Sequence, residues 1–132
     1  MTLYKQTTDI NLIGLHVTTF PNGIKEAFDS VLETLGSNRT CYGISWMDDN
    51  DTIQYYAMVN QLVKGEGESH SYKTLKIPAG DYKTETVHDW LSKTSSIKDV
   101  FHELVGSGQP NENNPCIECY QSDEVMICMV KA

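Results

Sequence analysis

The chain has 132 residues, 39% of them apolar and 21% charged, which supports one compact core and excludes disorder, collagen and long repeat arrays. Eighteen Asp and Glu against ten Lys and Arg give a formal net charge of −8, so phosphate backbones and anionic lipid are repelled and no direct nucleic-acid or membrane partner is expected. The longest apolar run, Val125 to Val130, is far short of the roughly 18 residues of a membrane span, and the N-terminal MTLYKQTTDI has no leader pattern, so a cytoplasmic location is expected.

The elements follow a strand, helix, strand, strand order that occurs twice. Ile10 to Phe20 is rich in Ile, Leu, Val and Thr and reads as a strand, ended by Pro21-Asn22-Gly23. Ile24, Phe28, Val31, Leu32 and Leu35 then form the stripe of an amphipathic helix that Gly36 closes. Thr40 to Met47 and Thr52 to Val63 read as a hairpin turning at Asp48-Asp49-Asn50-Asp51. Gly65 to Ser71 reads as an exposed linker. Tyr72 to Val87 is extended, with a break at Pro78-Ala79-Gly80. Ser96-Ile97-Lys98-Asp99 fits a capping box opening a helix with the stripe Ile97, Val100, Phe101, Leu104 and Val105, ended by Gly106. A polar loop over 107–114 leads to strands at Pro115 to Gln121 and Glu124 to Lys131. The expectation is an α+β fold: a duplicated βαββ unit, with two helices packed on a mainly antiparallel sheet. The pseudo-repeats fall at about 10–63 and 72–131 within a single domain spanning 1–132.

Most chemical motifs dissolve on inspection. Cys116-Ile117-Glu118-Cys119 is formally C-x-x-C, but in a strand residues three apart face opposite ways, so the sulfurs diverge. The four cysteines therefore read as small buried hydrophobes. His102-Glu103-Leu104-Val105-Gly106 starts like a zincin helix but has Gly where the second His belongs, and reads as a solvated helix face. A calcium loop starting at Asp48 would put Ile53 at the glycine position and Val59 at the closing glutamate. Gly106-Ser107-Gly108 follows a helix rather than a strand, so it is no dinucleotide loop. Neither a metal nor a cofactor is expected.

Glu118 stands apart. It interrupts an otherwise apolar strand, shares one face with Tyr120, and has no Lys or Arg within ten residues on either side. A carboxylate on a buried face costs several kcal/mol unless a positive partner is supplied; on an exposed edge it would be unremarkable. Seven Tyr and two Trp crowd the strands, and Trp46, Tyr55, Tyr82 and Trp90 are candidates for an aromatic cage that suits a bulky organic cation. As ordinary sheet residues they would need no ligand.

Leu75-Lys76-Ile77-Pro78-Ala79-Gly80-Asp81-Tyr82, then Pro115-Cys116-Ile117-Glu118-Cys119-Tyr120 and a Val-rich last strand, with Cys41-Tyr42-Gly43-Ile44-Ser45 upstream, resemble the GyrI-like small-molecule-binding domain. That domain is also the effector-binding module of bacterial AraC-type and MerR-type multidrug regulators. The resemblance covers about residues 10 to 131. It implies a cleft between the halves in which Glu118 and Tyr120 face a cationic ligand. One departure is His88-Asp89-Trp90, where the family often has His-x-Gly. With no room for a helix-turn-helix, the expected function is binding of cationic amphipathic aromatic molecules, by sequestration or as the sensing part of a larger assembly. Two alternatives stay open: hydrolysis of strained cyclopropane-type toxins with Glu118 as base and Tyr120 as donor, and a protein-interaction role such as topoisomerase protection. A protein partner or homodimer is left open too.

Overall fold

The computed structural model describes residues 1–106, 108 and 110–132; Ser107 and Gln109, part of the loop and of the glycine motif considered above, lie outside them. Eight strands form one sheet: β1 Thr2–Gln6, β2 Ile10–His16, β3 Cys41–Met47, β4 Ile53–Asn60, β5 Lys73–Ile77, β6 Gly80–His88, β7 Cys116–Tyr120 and β8 Val125–Lys131. Helices α1 (Ile24–Leu35), α2 (Glu66–Ser69) and α3 (Ile97–Val105) join them, with a 3₁₀ segment at Trp90–Ser96 leading into α3. The expected fold class is the observed one. Each half is a βαββ unit: β2, α1, β3, β4 and then β6, α3, β7, β8.

Every neighbouring pair in the order β1-β6-β8-β7-β3-β4-β2-β5 is antiparallel. The halves meet where β3 pairs with β7. Each half also lends a strand to the other, because β5 lies against β2 and β1 against β6. Only Pro78 and Ala79 separate β5, at one edge of the sheet, from β6, next to the other edge. So short a link forces the sheet to curl until its two ends meet. Inside the curl, Leu12, Tyr42, Ile44, Met58, Ile77, Tyr82, Ile117, Cys119 and Met129 form one core.

The outer face carries the helices. α1 packs on β4 and β2, burying Val31 against Ile13 and Val59. α3 packs on β8 and β6, where Ile97, Phe101 and Leu104 meet Val87, Met126 and Cys128. The central strands β3 and β7 lie between the two helices, and this gap is the cleft.

Several expectations need correction. β1 carries no strong apolar alternation, and its pairing with β6 makes it a strand. Gly65 to Ser71 is exposed apart from Glu66 and Gly67, but it is not irregular: it holds α2, whose buried Gly67 lies so close to β2 and β5 that an added Cβ would meet Ile13 Cγ2 at 2.7 Å. The capping box does not form. Ser96 already has helical dihedrals (φ −94°, ψ −8°) because the 3₁₀ segment runs straight into α3, and its hydroxyl donates to the Lys93 carbonyl at 2.8 Å. The Asp48 turn is as expected: Asp48 Oδ1 accepts the Asn50 and Thr52 amides at 2.9 and 3.0 Å.

Candidate functional site

The cleft has a volume of about 740 Å³. Its floor is β7 and β3, and its walls are the approach to α1, with Phe20 and Ile24, and α3 with the 3₁₀ segment. Glu118 lies on the floor, half-buried. On the neighbouring strand its register partner is Gly43, which pairs in turn with Ala57 of β4; Tyr55, two residues before Ala57 on the same face, reaches across Gly43 with its hydroxyl. The glycine leaves a gap that Tyr55 crosses: its hydroxyl donates to Glu118 Oε1 at 2.8 Å. Tyr120 donates to the same oxygen at 2.7 Å. The two hydroxyls are 3.4 Å apart.

Two donors on one oxygen fix the carboxyl plane and leave Oε2 with no hydrogen-bond partner among the described residues, beside the cavity. Burial pushes the Glu118 carboxyl above its usual range, and the hydrogen bonds from Tyr120 and Tyr55 partly offset this. Burial, with the Glu118 charge alongside, raises both phenols too, so both remain protonated donors. Cys116, also lining the cleft, and Cys128 are pushed up to about 12, chiefly by burial, which leaves unreactive thiols. Cys119 packs inside the curl while Cys116 packs on the helix side, so the C-x-x-C sulfurs do diverge.

Aromatic rings frame the triad. Phe20 stacks on Tyr55 with centroids 5.2 Å apart, and Phe28 and Trp90 meet Tyr120 edge-on at 5.7 and 5.0 Å. Trp90 is held there by its indole N–H, which donates to the Ser122 carbonyl at 3.0 Å. It reaches this place through the His88-Asp89-Trp90 departure: Asp89 takes a left-handed turn (φ 53°) and starts the 3₁₀ segment. Of the candidates, Glu118, Tyr120, Tyr55 and Trp90 come together in the cleft.

Two candidates do not join them. Tyr82 is 1% exposed inside the curl, where its hydroxyl donates to the Pro78 carbonyl at 2.6 Å. On β6 it has the opposite parity to Val87, which packs under α3. Trp46 borders the cleft, but its ring stacks on Tyr56 at 5.2 Å on the inner face of the sheet. Gly43 pairs with Glu118, so Gly43, Ser45 and Met47 share the Glu118 face of β3, and the Trp46 side chain projects from the other. Conversely, His102, read as a solvated helix residue, lines the cleft.

Gly43 was quoted in sequence only as part of a strand, yet a Cβ built there would fall on Tyr55 Oη and Glu118 Oε1. Its φ is not positive, so the constraint is space alone. Gly43→Ala is expected to break the Tyr55–Glu118 bond and to cost about 1–3 kcal/mol of stability through overpacking. Chemical denaturation gives the cost, and loss of a hydrogen-bonded Tyr55 hydroxyl resonance in NMR reports the broken bond.

No protein-family profile matches the chain, and no curated protein matches it in sequence. Solved structures do share its fold. An integron cassette protein from the mobile metagenome of Vibrio cholerae aligns over 99% of this chain and 99% of its own, with a TM-score of 0.66 and 13% identity. SAV2435, solved bound to tetraphenylphosphonium, aligns over 98% of this chain and 91% of its own, with a TM-score of 0.63 and 12% identity. A Staphylococcus aureus protein described as a candidate bacterial transcription regulator covers 99% and 97%, with a TM-score of 0.58 and 13% identity. At these identities the likeness is one of fold: an α+β protein whose curled antiparallel sheet carries two helices on either side of a cleft. Among the described residues no helix is long and apolar enough to cross a membrane.

Proposed function

We propose that this chain is a single GyrI-like binding domain, with pseudo-repeats at about 10–63 and 72–131, that takes up a cationic aromatic small molecule in the cytoplasm. One observation carries the reading: a carboxyl pinned through Oε1 by two tyrosine hydroxyls offers to a large aromatic-walled cleft an Oε2 without a hydrogen-bond partner among the described residues. In the empty protein that charge is poorly solvated, and a cation in the cleft compensates it, while Trp90 and Phe20 supply ring faces. The fold likeness to SAV2435, a protein solved with an organic cation, supports this reading. Sequestration and sensing both follow from such uptake.

The hydrolytic alternative uses the same pair, with Glu118 as base and Tyr120 as donor. Here the Tyr120 hydroxyl already donates to Glu118 rather than into the cleft, so binding is the better account.

The test uses Trp46→Phe, which leaves Trp90 as the reporter in the cleft. Tetraphenylphosphonium and tetraphenylborate share size and shape and differ in sign. Quenching of Trp90 by the cation alone is the expected result; equal response to both ions, or to neither, overturns the proposal.

A further inference from the structure

The cleft has a second pole that the cation reading does not use. Glu118 is the only Asp or Glu among the described residues lining it, while Lys98 and His102 line its α3 wall. They are four residues apart and so share one face of the helix. Both side chains are exposed, and neither makes a hydrogen bond or ion pair among the described residues. Their acidic neighbours Asp99 and Glu103 do not line the cleft. In a chain of net charge −8 with ten Lys and Arg, an unpaired ammonium beside an imidazole, both facing a cleft whose only carboxyl is on the floor, separates charge across the cavity. A simple cation gains at Glu118 and loses at Lys98.

Resting on the proposed cation uptake, we propose that the cleft is built for a zwitterion: an aromatic molecule whose cationic end meets Glu118 at the floor and whose anionic end, a carboxylate or similar group, meets Lys98 and His102 on the α3 wall. The anionic end gains a partner that is otherwise idle, and the aromatic body between the poles fills the space between Phe20 and Trp90.

The probes are an aryl-trimethylammonium cation and the same molecule carrying a carboxylate on tethers of increasing length. With wild type, one tether length is expected to bind about threefold more tightly than the parent cation, the scale of a solvent-exposed ion pair. Lys98→Gln should move the two ligands in opposite directions, weakening the zwitterion and tightening the plain cation. Lys98 is exposed, so the variant is expected to fold, and circular dichroism checks this. If the cation binds but no tether improves on it, or if Lys98→Gln shifts both ligands alike, the zwitterion proposal fails and cation uptake stands. If neither ligand binds, both fail.

Discussion

Glu118→Gln is expected to weaken binding of a fixed-charge aromatic cation at least about tenfold, roughly 1.4 kcal/mol, while raising the thermal midpoint of the empty protein by about 3 °C. The two effects share one cause. Gln has the same shape, and its carbonyl oxygen can still accept from Tyr55 and Tyr120, so the floor of the cleft is preserved. What is lost is the charge, which attracts the cation and burdens the empty fold. A carboxyl raised by burial holds its proton more tightly folded than unfolded, so its contribution to stability falls as pH rises from the unfolded value through the folded one. Above the folded value the wild type bears that full cost, and the substitution removes it, a gain of about 1 kcal/mol of the kind seen when a binding residue is relaxed. Binding has the reverse dependence: as pH drops through the raised Glu118 value, wild-type affinity for the cation should fall, and the variant's should stay flat. Calorimetric titration at several pH values reads both curves. A variant that binds as well as wild type, or melts lower, removes Glu118 from the binding role.

Which parts of this site could be read from the chain depends on whether within-strand or between-strand geometry decides them. Within a strand, parity suffices: Glu118 with Tyr120, and the diverging Cys116 and Cys119, follow from alternation alone. Helices α1 and α3 were equally legible, because their apolar stripes and closing Gly36 and Gly106 are local signals. Trp46 reaches only the border of the cleft because its face depends on the register of β3 against β7, and nothing in either strand states that Gly43 pairs with Glu118. Tyr82 failed for a related reason, since the sheet's curl turns one whole face of β6 inward. Gly43 did offer a signal: a glycine inside a strand marks a close approach, here by the Tyr55 hydroxyl and the Glu118 carboxyl. Lys98 and His102 flank the apolar stripe of α3 rather than belonging to it, so a reading built on hydrophobic periodicity passes over them.

Arg39→Ala is expected to destabilise the protein by about 3 kcal/mol, the cost of leaving one partner of a largely buried ion pair without the other. The pair ties α2 to the start of β3. Arg39 Nη1 and Nη2 donate to Glu66 Oε1 and Oε2 at 2.6 and 2.5 Å in a two-pronged fork, and Nη1 also donates to the Asn60 carbonyl at 3.2 Å. The two side chains are only 5% and 12% exposed, so water cannot replace the lost donors readily. The segment they anchor connects the first βαββ unit to β5, the strand that closes one edge of the sheet against β2. Arg39→Lys keeps the charge but not the fork, and should recover only part of the loss. The pair also has a pH signature opposite to that of Glu118. Its hydrogen bonds with Arg39 hold the Glu66 carboxyl down to about 2, so its contribution is complete above the ordinary carboxylate value of about 4.5 and is lost as pH falls from there through about 2. The contributions of the two glutamates therefore favour the fold most near the ordinary carboxylate value: above it the Glu118 charge weighs on the cleft, and below it the Arg39–Glu66 fork is protonated apart. Denaturation measured across acid pH should show Arg39→Ala flattening the lower slope and Glu118→Gln the upper one. If Arg39→Ala keeps the full acid slope of wild type, Glu66 is not held by the fork and the anchoring of α2 lies elsewhere.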